Sequence, residues 1–303
     1  MKFQFIFYSF FLLNINVNAQ IDINEDLNFY SDYENFKTLN IQDTKWTFFH
    51  SENQDFNGNE VIDDWENIKS TEIIEFKPNN KAIEFELSRL SDEILNSSIR
   101  DGAVEGYPYD GEIMFNHANR NEIATWDYPY ITSYFPGSTY EFEYDIYIPD
   151  DFIFETSNCN DITMANYELV GQWHISHEVM SGNTKPPISL RIQCDRWVIS
   201  LNTNDTEESD IHHFLPGKVE PGKWVNWRFK FKLSHRKRGK VIVWRNGELV
   251  FEKKKFKNIF AKYAPDGKLT TFYFKIGIYK PHWWSRDTNV QYRRVLYDNI
   301  KIN

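Results

Sequence analysis

The sequence predicts an all-β protein, a two-sheet sandwich or jelly roll, on three observations. Trp, Tyr and Phe make up 17% of the residues while Gly and Pro are scattered singly, a composition suited to strands with aromatic-rich faces. Short runs alternating apolar with polar residues recur along the chain between turn signals, as half-buried strands do. Helical signals are few, confined to residues 91–99, with Ser91 as N-cap, and 256–263. Many strands at short spacing with few helices imply a sandwich or jelly roll.

The chain opens on Lys2 and a run over residues 3–13 that is apolar or aromatic apart from Gln4 and Ser9. Small residues, Val17-Asn18-Ala19, precede Gln20. This is the layout of a secretory signal peptide cut after Ala19. The apolar run is shorter than the roughly 20 residues that span a bilayer. A secreted or periplasmic monomer without a membrane partner is expected. No linker-like boundary follows Gln20, so residues 20–303 are expected to form one domain.

Strands are expected over residues 81–87, 139–148, 168–174, 188–193, 197–201, 224–233, 240–245, 248–253, 272–279 and 294–302. Asn246-Gly247 between two alternating runs marks a tight hairpin, because both turn residues need positive φ. Residues 96–122 and 203–222 are rich in turn formers and are expected to rim a cleft on one sheet.

The formal charge is −10, which argues against nucleic acid as a general partner. A local basic cleft can still bind anions. Cys159 and Cys194 lack metal-ligand spacing; an exported chain can pair them, and two separate buried thiols remain the alternative.

Three segments concentrate polar chemistry: Arg120-Asn121-Glu122-Ile123, Gln172-Trp173-His174, and residues 273–279. Strand alternation puts Gln172 and His174 on one face, and Lys275, Gly277 and Tyr279 on one face with Phe274, Ile276 and Ile278 opposite. Glycine between two long polar side chains leaves room for a ligand to lie across the sheet. Arg120 and Glu122 share a face if their segment is extended, and His117 joins them only if the chain bends.

These residue types suit removal of a proton beside a carboxylate. Arg binds the carboxylate bidentately, and Gln donates an amide hydrogen. His acts as base near neutral pH. Tyr protonates a leaving oxygen and, in syn geometry, also serves as base. A neighbouring cation such as Lys275 lowers the phenol's pKa. This chemistry demands no metal or organic cofactor.

The same segments resemble the jelly-roll polysaccharide lyases. Arg120 to Ile123 is similar to the R-x-E-L strand of the alginate lyases, Gln172 to His174 to their Q-x-H element, and Tyr273 to Tyr279 to their Y-F-K-x-G-x-Y strand. Gly171-Gln172-Trp173-His174, Pro186-Pro187-Ile188-Ser189-Leu190 and Trp244-Arg245-Asn246-Gly247 resemble the heparin lyase I, glucuronan lyase and ulvan lyase type. The resemblance runs from about residue 139 to the C-terminus, with Arg120 outside it.

It implies a concanavalin-like sandwich with a catalytic cleft on one concave sheet. It also implies β-elimination from a uronate-containing anionic polysaccharide, leaving 4,5-unsaturated ends. Tyr279 would be proton donor or base, and His174 base or carboxylate neutraliser. Gln172 and Arg120 would neutralise the carboxylate and Lys275 would support Tyr279. Lys280 stands where that type often has Arg, and Pro281 where the alginate pattern has Gln, so alginate is disfavoured.

Arg191, Lys280, His117, Trp283 and Arg293 are further candidates for substrate binding, with Arg294 and Trp284 beside them. Asp298-Asn299 is a candidate for a structural calcium site, which needs oxygen ligands. Two rival readings remain: a sandwich glycoside hydrolase using Glu141, Glu143 or Asp145 as a carboxylate pair, and a non-catalytic carbohydrate-binding module. Basic clusters at residues 235–240 and 253–255 read as solvated hairpin ends.

Overall fold

The structure is a computed structural model that describes residues 19–20, 28–31, 37–41, 44–49, 69–77, 80–89, 120–125, 134–160, 166–175, 186–202, 211–258, 270–281, 283 and 287–303. Among the described residues there are strands and turns and no helix. The strands in chain order are β1 (Ala19–Gln20), β2 (Asn28–Ser31), β3 (Lys37–Ile41), β4 (Thr44–Phe49), β5 (Lys69–Lys77) and β6 (Asn80–Ser88). Then follow β7 (Arg120–Ala124), β8 (Tyr140–Ile148), β9 (Tyr167–Ile175), β10 (Ile188–Gln193), β11 (Arg196–Asn202) and β12 (Ile211–Lys218). The last are β13 (Lys223–Lys232), β14 (Gly239–Arg245), β15 (Glu248–Phe256), β16 (Phe272–Tyr279) and β17 (Tyr292–Ile302).

They form two antiparallel sheets. One has the order β15-β14-β13-β8-β17-β6-β5, with β1 also pairing β17; the other is nine-stranded, β12-β11-β10-β9-β16-β7-β4-β3-β2. The expected sandwich is therefore found. Apolar positions of both sheets meet in one core. Trp173 of β9 stacks on Phe274 of β16 at 4.9 Å and meets Phe229 of the opposite sheet at 4.6 Å. Truncating such a side chain to Ala costs about 3–5 kcal/mol.

Alternation explains the eight-stranded sheet. In β8, Phe142, Tyr144, Ile146 and Ile148 are buried while Glu141, Glu143 and Asp145 turn outwards. Asn246 and Gly247, both at positive φ, turn β14 into β15 as expected. The 211–218 stretch, expected as loop, is strand β12. Pro216 and Gly217 mask its periodicity, and its place at the sheet edge tolerates them. The helix expected over 256–263 does not start at Phe256, which closes β15, and residues 257–258 are irregular; residues 259–263 lie outside the described residues. Residues 91–99 lie outside the described residues.

Cys159 and Cys194 form a disulfide across 35 residues. It ties the segment before β9 to the β10–β11 turn.

Candidate active site

β7, β16, β9 and β10 lie side by side. The apolar face of β16, with Phe272, Phe274, Ile276 and Ile278, belongs to the core. Tyr273, Lys275, Gly277 and Tyr279 therefore face outwards. Cross-strand register arranges the outer face in rows. Tyr279 stands opposite Arg120 and Leu169, and Leu169 opposite Arg191. Lys275 stands opposite Gln172, and Gln172 opposite Ser189. Tyr273 stands opposite His174.

Gly277 has φ of 128°, and a Cβ there would lie 2.2 Å from Asn121 O and 2.7 Å from Glu122 Cα. The glycine thus makes room for the β7 backbone rather than for a ligand alone. Glu122 stands opposite this gap, and its Oε1 accepts a hydrogen bond from Gln172 Nε2 at 2.5 Å across β16. Lys275 Nζ lies 3.9 Å from Glu122 Oε2 and 5.3 Å from the Tyr273 ring centre. Glu122, Gln172 and Lys275 are each 1% exposed. A carboxylate only accepts, so it orients the Gln172 amide with its NH₂ group towards Glu122. The sequence showed Glu122 sharing the Arg120 face; its role emerges only from the sheet register.

His174 is half-buried, with Nδ1 2.8 Å from Ile175 O. A carbonyl only accepts, so Nδ1 carries a proton and donates it to Ile175 O. His174 and Tyr279 stand at different heights along the sheet. From His174 to Leu169, the partner of Tyr279, the strand advances about 16 Å at ~3.3 Å per residue.

A second layer supports the site from the core. Tyr297, on the opposite sheet, donates its hydroxyl to Val170 O at 2.5 Å and lies 2.9 Å from Gly277 O. It props the bulge where β9 and β16 shift register. At Gly171 a Cβ would meet the Tyr144 hydroxyl at 2.3 Å, so only glycine fits. No local pattern marks Tyr297, because its partners come from two distant strands.

Three expected substrate ligands lie elsewhere. Lys280 and Trp283 are 0% exposed and Arg293 1%. Glu168 accepts from Lys280 Nζ at 2.9 Å and Arg293 Nε at 2.6 Å, and Lys280 also reaches Glu155 at 2.7 Å. Trp283 donates its indole N–H to Val290 O. These expectations are corrected: the three side chains are sealed in the interior, out of a polymer's reach. Burial pushes the Glu168 carboxyl up, but Arg293 and Lys280 outweigh it and hold it below the usual range.

Arg191 does face outwards on β10. Its Nε donates to Ser189 Oγ at 3.1 Å and its guanidinium lies 4.2 Å from the Tyr167 ring centre. Arg294 pairs with Glu84 and Asp151 on the other sheet. For Arg120 the backbone position is described; its side chain, like His117 and Trp284, lies outside the described residues. Asp298 Oδ1 accepts the Asn299 N–H at 2.6 Å, and among the described residues no group of three or more His, Cys, Asp or Glu is arranged to hold a metal.

The hydrolase carboxylates are on the wrong sheet. Glu141 pairs with Lys230 and Arg228, while Asn226 Nδ2 donates to Glu143 and Asp145.

The polysaccharide lyase family matches residues 44–301. Among solved structures, an endo-β-1,4-glucuronan lyase from the fungus Trichoderma reesei is similar at 15% identity with a TM-score of 0.55, covering 82% of this chain and 92% of that one. The marine PL7 alginate lyase AlyA1 from Zobellia galactanivorans shares 15% identity with a TM-score of 0.47, covering 91% and 93%. No curated protein matches. With a family match over most of its length on a jelly-roll sandwich, the chain belongs to the polysaccharide lyase family.

Proposed function

We propose that the protein is exported and cleaves a 1→4 link to a uronic acid by syn β-elimination, leaving a 4,5-unsaturated uronate end. Tyr279 acts as both base and acid, with Arg120 and Gln172 neutralising the substrate carboxylate. Glucuronan, ulvan and heparin-like chains are the substrate candidates. The acidic chain favours the first two over strongly basic-binding heparin.

The observation carrying this reading is the register: Tyr279 is the cross-strand neighbour of Arg120, while His174 stands about 16 Å along the sheet. Abstraction of the C5 proton builds charge onto the carboxylate, which Arg120 and the Gln172 amide stabilise. Glu122 holds that amide in place, and Lys275 balances the buried Glu122. Tyr279, half-buried, then returns the proton to the O4 leaving oxygen of the same sugar. Both transfers occur on one face, so one phenol suffices. His174 stands off the Arg120–Tyr279 row, along β9.

The test is absorbance of the conjugated double bond formed on each polymer. Tyr279→Phe is expected to lose roughly 10³-fold or more in kcat, whereas His174→Asn keeps most of kcat. A His174 variant as dead as the Tyr279 variant would overturn the single-residue mechanism. Reducing ends without absorbance would overturn the lyase chemistry.

A further inference from the structure

Arg191 is 8% exposed, yet no carboxylate faces it among the described residues. Its contacts are one neutral hydroxyl, Ser189 Oγ at 3.1 Å, and the Tyr167 ring. A guanidinium has five N–H donors, and Nε uses one. Burying a cation without a counter-charge is costly, and here burial lowers the arginine's pKa. Arg293, the other deeply buried arginine discussed above, has Glu168 at 2.5 Å. A buried cation lacking such a partner is poised for an anion from outside.

Its place in the sheet says which anion. Arg191, Leu169, Tyr279 and Arg120 form one cross-strand row. Arg191 is two strands from Tyr279, roughly 10 Å at ~4.8 Å per strand. Leu169, 3% exposed, is the apolar floor between them. A polymer lying across the strands, with its reacting uronate at Tyr279 and Arg120, would pass its next sugar over Leu169.

Resting on the lyase reading, we propose that Arg191 forms a subsite for the oxyanion, carboxylate or sulfate, of the sugar next to the reacting uronate. The enzyme would then be selective for polymers that carry a second anion at that sugar. Two or three parallel N–H donors suit either planar or tetrahedral oxyanions, and Tyr167 holds the guanidinium plane in place.

The experiment measures binding without turnover. Calorimetric affinities would be compared for Tyr279→Phe protein with and without Arg191→Met, on glucuronan, ulvan and desulfated ulvan. Arg191→Met is expected to weaken the recognised polymer roughly 10- to 100-fold. A loss on glucuronan names a carboxylate; a loss on ulvan that disappears on desulfation names a sulfate. Arg191→Lys, which keeps the charge without the fork, is expected to fall between and serves if the Met variant fails to fold. Affinities unchanged in whichever variant folds would make Arg191 a structural residue and overturn the proposal. So would a parent that binds none of the three. Lyase activity is read separately by absorbance on the unaltered protein, so failure of either idea leaves the other measurable.

Discussion

The two sheets treat polar residues in opposite ways. On the eight-stranded sheet, β8 and β13 alternate buried with partly exposed positions, and charges on this sheet meet in solvent: Lys230 of β13 with Glu141 of β8, and Lys240 of β14 and Lys254 of β15 with Glu252. On the nine-stranded sheet, β10 is buried at every position and β16 at all but Tyr279. Its outward Glu122, Gln172, Ser189, Arg191 and Lys275 are polar and almost wholly covered. Exposed pairs contribute little, because water already solvates them. Buried polar groups must be satisfied by each other or by a ligand. The proposed site lies on the sheet that carries this unsolvated polarity.

A third set sharpens this. Glu155, Glu168, Lys280 and Arg293 are as buried as the site but closed on themselves. Burial of charge alone does not mark a site; an outward face and an unfilled partner do.

The contrast is most directly broken by mutation. Beyond the roughly 10³-fold loss at Tyr279→Phe, the next largest effect is expected in the closed set. Arg293→Met leaves Glu168 and destabilises by about 3–5 kcal/mol, read from denaturant midpoints. Equal stability would mean that Lys280 alone neutralises Glu168.

Glu122→Gln comes next. It replaces the charged acceptor of the Gln172 amide with a neutral carbonyl and leaves Lys275 buried without its carboxylate, so kcat is expected to fall roughly 10- to 100-fold with KM little changed. Stability should fall by about 1–3 kcal/mol. A loss of stability with full kcat would make Glu122 structural only.

Acid offers a smaller, graded test. The folded Glu168 pKa lies below its ordinary 4.5. Its contribution is fully present above that ordinary value and is lost as pH falls through the lower folded value. Unfolding midpoints followed below about pH 4.5 should therefore drop less steeply in Glu168→Gln than in the unaltered protein. The smallest effect is expected on the solvated sheet. Glu143→Gln should leave lyase activity intact and change stability by less than about 1 kcal/mol; lost activity there would return the hydrolase reading.

Legibility followed locality. β10 and β16 have the bounds their alternation predicts, and the Asn246-Gly247 hairpin needs only its own two residues. Glu122 and Tyr297 were illegible as parts of the site, because each acts on residues far away in sequence. Lys280, Trp283 and Arg293 were misplaced for a related reason. A cation or indole after a strand looks the same whether it meets solvent or a buried Glu168.

By itself the sequence determined the β class, the core faces of the strands and the residue types needed for elimination from a uronate. Periodicity is written into each strand separately, so one chain segment suffices to read it. Only the tertiary structure decided which of those residues meet. Pairing register is a property of two strands together, and the bulge beside Gly277 shifts it. Regular β7–β16 pairing sets Tyr279 beside Arg120, while the β9–β16 shift sets it beside Leu169 and leaves His174 about 16 Å along the strand; Arg191 stands two strands away with no carboxylate facing it among the described residues.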